Sequence, residues 1–392
     1  AGGAAPSFQR PLLVLFDRNF DLVAQLQHGW TYHALVHDLL KLESNKVTLP
    51  AEAAGQPGKT YNVGEGDFFW EQNGNAPFPA VAEEVEAQLG KYKREVEEVN
   101  KAAVGADVED SDALKANSRI LVSAVSSLPE LTERKKVIDT HTNVATCLLS
   151  AIKERGIDHL CSLEEELALG KADRAALLKA LAGGKGTPRD KLRLALVWLL
   201  TTEATPSAAE LAEVEGALKG QGAPTEALHY VRRLRTMNLT GQAAPRKALG
   251  QAGAAGAGGS QGNFLDMAEL YAQGLNAVTK GMMNLMGVGA QNAVTKTVEA
   301  LMDGKGGPQT EEFLFLDPRT APGTPAGDRA KAAARDAIVF VIGGGTYLEY
   351  HSLREWAAAA QPQRHIAYGS TALKSGEQFL DELTALGQQS HA

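Results

Sequence analysis

The strongest constraint on the fold of this chain is the separation of its strand-like segments. Pro11–Asp17 (PLLVLFD) is a short apolar run ending in an acid, the pattern of a strand buried on both faces of a parallel sheet. Comparable runs return only near the other end, at Ala337–Ile342 (AIVFVI), followed by the Gly343–Gly345 turn, and at His365–Ser370. Helical patterns at Tyr347–Ala360 and Ser375–Leu386 alternate with them. One or two isolated strands do not make a stable sheet, and parallel strands need crossover connections. Both ends are therefore expected to build one discontinuous parallel-sheet α/β domain, with an all-α domain inserted between its segments. The expected boundaries are 1–117 and 311–392 for the two α/β segments and 118–310 for the helical insertion.

The intervening sequence is mostly helical. Tyr32, Leu35, Val36, Leu39 and Leu40 give Trp30–Leu42 a helical spacing, and Val81–Val99 reads as a charged amphipathic helix. Between them, aromatic and β-branched residues around Gly64-Glu65-Gly66 predict a β-hairpin over Lys59–Asn73. From Ser118 to about Gly170 the pattern stays helical, with one stripe formed by Val137, His141, Val144, Leu148 and Ile152. Asp190–Leu200 is nearly all apolar and must lie in a core. Glu226–Met237 is an amphipathic helix carrying Arg232, Arg233 and Arg235. Leu239–Gly262, Ala/Gly-rich over 243–262, reads as a loop, and Phe264–Met286 resumes a helical pattern.

With 392 residues, two or three domains are expected. A net charge of −8 argues against nucleic-acid binding, which calls for a basic footprint. No window supplies the roughly 18 consecutive apolar residues of a membrane-spanning helix. The first ten residues lack the pattern of a secretory signal, and with no initiator Met the sequence reads as a piece of a longer protein. Cys147 and Cys161 have neither metal nor redox spacing, read as buried apolar residues, and fit a reducing compartment.

Three features invite a chemical reading. Gly343-Gly344-Gly345 follows a strand, but Leu348 stands where a dinucleotide fingerprint needs its third Gly, and no P-loop Lys is present. His33 and His37 are one helical turn apart, but Ala34 replaces the Glu that a zinc protease requires, so no metal site is assigned. Asp17 and Asp21 flank Arg18 at the carboxyl end of the first strand, where open α/β sheets bind ligands. An α/β enzyme with a ligand site at Asp17, Asp21 and the Gly343–Gly345 turn is thus the alternative function. A structural reading competes with it: Asp17 caps the turn and Arg18 pairs with a nearby carboxylate. No Gly-x-Ser-x-Gly elbow is present, and no catalytic residues are assigned.

The same residues carry a resemblance. LLVLFDRNFDLVAQLQHGWTYHALVHDLL (12–40) resembles the Sec/Munc (SM) family, in which an apolar strand runs into Asp-Arg-x-x-Asp and then a helix. DFFW (67–70), NAPFPAVA (75–82), SLPELTERKKVIDTHTNVATCLL (127–149), LCSLEEELALG (160–170) and DKLRLALVWLL (190–200) recur there in the same order. VFVIGGGTYLEYHSL and IAYGSTALKSGEQFLDEL, near the end, are similar to the Sly-type members of ER–Golgi transport. The resemblance spans about residues 10–388.

It implies a non-enzymatic, syntaxin-binding regulator of vesicle docking and membrane fusion. It implies no cofactor, and a cytoplasmic protein peripherally associated with ER/Golgi membranes and transport vesicles. The implied partners are a syntaxin-type SNARE of the ER–Golgi pathway, a vesicle SNARE and the assembled SNARE bundle, with no nucleic acid. SM proteins begin with a further α/β domain holding the main syntaxin-contacting surface, and this chain is expected to start after it. A helical hairpin is expected to template SNARE assembly, corresponding to Glu226–Met237 and Phe264–Met286. The contact residues implied are Leu228, Tyr230, Val231 and Leu234, with Phe264 and Leu265. The Met-rich face of 264–286 is a candidate for weak membrane contact, with Lys280 its one basic residue.

Overall fold

The computed structural model describes residues 11–50, 58–104, 111–240, 291–305, 310, 313–316 and 334–389, with only the backbone over 100–104 and 111–128. The chain divides into two compact units, residues 1–29 with 155–392, and residues 30–154.

In the first unit, strands β1 (Leu12–Asp17), β4 (Asp336–Ile342) and β5 (His365–Ser370) form a three-stranded sheet in the order β1-β4-β5. Both pairings are parallel, with Val14 beside Val339 and Val339 beside Tyr368. The two ends of the sequence therefore share one sheet. On one face Val14, Phe16, Val339 and Val341 pack with Val294, Val298 and Met302 of helix α11 (Ala293–Met302) and Leu353 of α12 (Tyr347–Ala359). Phe16, Phe20 and Phe313 add an aromatic cluster with ring centroids 4.8–6.0 Å apart.

The opposite face departs from the sequence expectation. Leu13 and Leu15 are 59% and 54% exposed, and Ile338 and Ile342 42% and 49%. The first strand is buried on one face only. A continuous apolar run cannot distinguish a strand with two covered faces from one whose second face is bare.

The helices of this unit surround α8 (Pro188–Thr201), in which every residue from Asp190 to Leu199 is buried. Its start is fixed by a capping box, Thr187 and Asp190 exchanging side-chain-to-backbone hydrogen bonds, with Pro188 at the first helical position. Around it lie α1 (Leu22–Leu26), α6 (Ile157–Ala168), α7 (Arg174–Ala182), α9 (Ala208–Gly220), α10 (Glu226–Thr236) and α13 (Gly376–Gln389). Helices α10 and α13 approach closely at Gly387, where a Cβ would lie 2.3 Å from the Glu226 carbonyl oxygen. Arg235 of α10 closes the carboxyl end of α8: its guanidinium donates to the carbonyls of Leu199 and Thr202, the latter at 2.5 Å.

The second unit holds α2 (Tyr32–Leu39), α3 (Phe68–Asn73), α4 (Phe78–Val104), α5 (Ser111–Arg155, whose last residue belongs to the first unit) and a short sheet. Here the predicted hairpin over Lys59–Asn73 is corrected. β3 (Thr60–Asn62) pairs antiparallel with β2 (Lys46–Thr48), and Phe68–Asn73 is helix. Asp67 decides the matter locally, because its carboxylate accepts from the Trp70 N–H at 3.0 Å and caps the helix start. Phe69 and Trp70 are thereby buried, each with its ring edge-on to that of Tyr32, at 6.4 and 5.4 Å between centroids.

Candidate functional site

The carboxyl edge of the sheet is where this fold class holds ligands. Asp17, Arg18 and Asp21 leave β1 there, and Gly343–Gly345 leaves β4. Gly343 and Gly344 have φ of +106° and +125°, a conformation that L side chains rarely adopt, and a Cβ on Gly343 would lie 2.8 Å from the Cβ of Arg18. The glycines thus let the turn close over Arg18.

Arg18, 5% exposed, donates from Nη1 to the Gly344 carbonyl at 3.0 Å and to Glu349 Oε2 at 3.1 Å. Its Nη2 donates to Glu349 Oε1 at 2.6 Å and to the Asp21 carbonyl. Burial opposes the guanidinium charge, but Glu349 and Asp21 more than offset it, so its pKa is raised. The Tyr368 hydroxyl donates to Glu349 Oε2 at 2.6 Å and accepts from the Thr346 N–H at 3.1 Å. Burial, then the Glu349 charge, push the Tyr368 hydroxyl pKa up. Lys374 Nζ covers the turn by donating to the Gly343 carbonyl at 3.0 Å.

Of the two aspartates, Asp21 is likewise committed, whereas Asp17 is exposed and makes a local turn bond. Asp17 accepts from the Asn19 N–H at 2.9 Å. Asp21 uses Oδ1 for the Ala24 N–H at 3.0 Å and Oδ2 for the Ala293 N–H at 3.1 Å, joining the starts of α1 and α11. Carboxylate, guanidinium and phenol are consumed in closing the edge, so they form a structural lock rather than a cleft for acid–base chemistry. Arg18 does pair with a carboxylate, but Glu349 is its partner, and sequence reasoning missed that residue.

A second cluster resembles a catalytic relay. In the second unit, His141 Nε2 lies 3.0 Å from both Asp67 carboxylate oxygens, and its Nδ1 lies 2.8 Å from the Tyr32 hydroxyl. Since a carboxylate only accepts, Nε2 carries a proton. Tyr32 and His141 are fully buried, and the His141 ring stacks on Phe69 at 4.5 Å. With the imidazole and phenol buried and only the Asp67 carboxylate partly exposed, the relay orders the core. His33, one of the histidines weighed as a metal pair, lies against Trp70 with ring centroids 4.1 Å apart. His37 is buried, which lowers its pKa. Among the described residues no three His, Cys, Asp or Glu side chains gather as a metal site.

The predicted partner-contact residues fall on α10. Leu228, Val231 and Leu234 are buried on its inner face, and Tyr230 is half-buried. Arg232 and Arg233 are exposed. Phe264, Leu265 and the rest of Phe264–Met286, including the methionines considered for membrane contact, lie outside the described residues, as does the loop 243–262. No described helix is long and apolar enough to cross a membrane.

The Sec1 family model matches residues 2–382. The chain is 44% identical to the SEC1 family transport protein SLY1 of Oryza sativa subsp. japonica, over 99% of this chain and 60% of that protein. It is 42% identical to the Arabidopsis thaliana protein of the same name, over 99% of this chain and 61% of that protein. Sec1 family domain-containing protein 1 of Homo sapiens is 36% identical over 99% of this chain and 62% of its own length. The chain thus spans about three fifths of the curated relatives it matches. Among solved structures, Sly1p in complex with an N-terminal peptide of Sed5p matches at a TM-score of 0.74 and 30% identity, over 98% of this chain and 60% of that one. Vps45 in complex with the Qa SNARE Tlg2 (1–310) shares the fold at a TM-score of 0.66 and 19% identity, over 98% of this chain and 61% of that one.

Proposed function

Because the chain belongs to the Sec1 family, we propose that it is part of a SNARE-binding regulator of vesicle docking and membrane fusion in ER–Golgi transport. The observation that carries this is the likeness, over 98% of the chain, to Sly1p, whose structure holds a Sed5p peptide. A syntaxin-type SNARE of that pathway, a vesicle SNARE and their assembled bundle are the partners. The protein acts by binding rather than catalysis, on the cytoplasmic side of ER and Golgi membranes and their vesicles. The closed edge at Arg18 and Glu349 supports that reading over an α/β enzyme using Asp17, Asp21 and the glycine turn.

The finer architecture belongs to the same proposal. A discontinuous α/β domain carries a helical domain inserted near residues 117 and 310, and the pairing of β1 with β4 supports that connectivity. The template is an amphipathic-helix groove. On α10, Tyr230 is the accessible contact, while Leu228, Val231 and Leu234 contribute only when the inner face is uncovered. Phe264, Leu265 and the Met-rich face of 264–286 complete that hairpin and its weak membrane contact.

A second template surface is favoured by the lengths of α4 and α5, 27 and 45 residues. At about 1.5 Å per residue, α5 runs roughly 68 Å. Arg134 of α5 ties the pair together by donating to Glu95 at 3.0 Å and to Gln88 at 2.7 Å.

Calorimetry of the chain against syntaxin-type SNARE motifs, singly and as a bundle, tests the function. A dissociation constant of about 1 μM or tighter supports it. Weakening by Tyr230→Ala places the template on α10, and weakening by exposed-face changes on α4 or α5 places it on the long pair. No binding by the folded chain to any SNARE motif counts against SNARE regulation by this part of the protein.

A further inference from the structure

The chain leaves the first unit between Gly29 and Trp30 and re-enters it between Glu154 and Arg155. The last residues before the exit and the first after the return are tied to one side chain. Asp190, fully buried at the third position of α8, accepts from Arg155 Nε through Oδ2 at 3.1 Å and from Arg155 Nη2 through Oδ1 at 2.6 Å. The same Oδ1 lies 3.4 Å from His28 Nε2. The Thr187 N–H donates to Oδ2 at 2.9 Å, so the carboxylate is also locked to its own helix.

His28 is held from every side. Glu164 of α6 accepts from the His28 backbone N–H through Oε2 and pairs with Nδ1 through Oε1, both at 2.8 Å. The Cys161 thiol of α6 faces the His28 carbonyl at 3.4 Å. Arg193 of α8, also fully buried, donates to the carbonyls of Leu26 at 2.8 Å and Gln27 at 3.3 Å. Glu377 of α13 takes a further bond from Arg155 Nη2 at 3.2 Å. With an imidazolium, His28, Arg155 and Arg193 balance Glu164, Asp190 and Glu377, whereas a neutral imidazole leaves one carboxylate in excess. Both ring nitrogens face carboxylates, which suits the charged form. Burial and Arg193 lower the His28 pKa, but Glu164 and Asp190 prevail and raise it. Burial alone would raise the Asp190 carboxyl, yet His28 and Arg155 hold it well below the usual carboxylate range.

We propose that Asp190 is a common anchor for the two chain crossings, so that the exit at His28–Gly29 and the return at Arg155 loosen or hold together as one conformational device. An ordinary core ion pair would fix one crossing and leave the other indifferent. Here Arg155 and His28 share Oδ1, and loss of Arg155 removes two of the bonds that hold the Asp190 carboxylate in place against the His28 ring. This device requires no bound partner and stands apart from the SNARE reading.

Amide hydrogen exchange of the whole chain tests it. Arg155→Met is expected to speed exchange roughly tenfold at residues 152–156 and also at residues 27–30, to which Asp190 links Arg155 through His28. Asp190→Asn is expected to do the same at both crossings. Arg189→Ala, which removes the adjacent ties to the Glu377 carbonyl and Asp381, is expected to change neither. Acceleration at 152–156 alone in Arg155→Met overturns the proposal, as does equal acceleration throughout the first unit. Should Asp190→Asn fail to fold, Arg155→Met together with a His28→Gln variant, read at 152–156, decides the matter.

Discussion

Arg18 and Glu349, 331 positions apart in sequence, form a two-pronged buried ion pair, with Nη2–Oε1 at 2.6 Å and Nη1–Oε2 at 3.1 Å. It joins the end of β1 to α12, the helix after β4, and fills the edge where related architectures admit a ligand. Stranding one member of a buried pair costs about 3–5 kcal/mol, whereas replacing both by apolar groups is far milder. Arg18→Met is therefore expected to lower the unfolding free energy by about 3–5 kcal/mol, and adding Glu349→Met to recover most of it. Denaturant titration of the single and double variants checks this, and equal losses in both would contradict it.

The approach of α10 to α13 leaves no room for a methyl group at Gly387. Gly387→Ala is expected to cost about 1–3 kcal/mol by forcing the helices apart. Gly90, in α4, has nothing within 4 Å of its virtual Cβ, so Gly90→Ala should stabilise by up to about 1 kcal/mol. Opposite shifts in thermal midpoint are the expected result.

In the second unit, Tyr32→Phe removes the hydroxyl facing His141 and leaves a buried ring nitrogen without that partner. A loss of about 1–3 kcal/mol is expected, measured by urea unfolding. No change would mean that the Tyr32–His141 bond is not made in solution.

The buried His28 gives stability a definite pH sense. Its folded pKa is raised above the ordinary 6.5, so its contribution is complete below that value and is lost as pH rises through the folded pKa. Asp190 acts oppositely: its contribution is present above the ordinary 3.8 and is lost as pH falls toward its depressed folded value. His28→Gln is expected to flatten the alkaline decline in stability while leaving the acid limb, where Asp190 titrates, in place. Unfolding midpoints from pH 3 to pH 10 would show it, and an unaltered alkaline limb would refute it.

What was legible in the sequence was whatever periodicity records. The strands at 12–17, 336–342 and 365–370, the stripe through His141 and Ile152, and the mostly apolar α8 stand where spacing put them. The family, too, was legible in ordered motifs from Leu12 to Leu383. Aromatic content misled at Phe68–Asn73, because one capping carboxylate on Asp67 outweighed the strand preference of the residues after it. Long-range charge pairing was invisible: nothing near Arg18 announces Glu349, and nothing near His28 announces Glu164 or Asp190. On α10, periodicity marked an apolar stripe but could not say whether Leu228, Val231 and Leu234 face a core or a partner. Burial puts them inward, while Phe264 and Leu265 are beyond the described residues.

The uncovered sheet face has a colloidal consequence. Leu13 and Leu15 of β1 and Ile338 and Ile342 of β4 present greasy side chains on it, and β1 is an edge strand of the sheet among the described residues. Molecules of this chain in isolation will adhere through that surface as their concentration rises, so that light scattering grows with protein added and with kosmotropic salt. A lysine at position 15 would push such molecules apart while leaving the covered side of the strand intact.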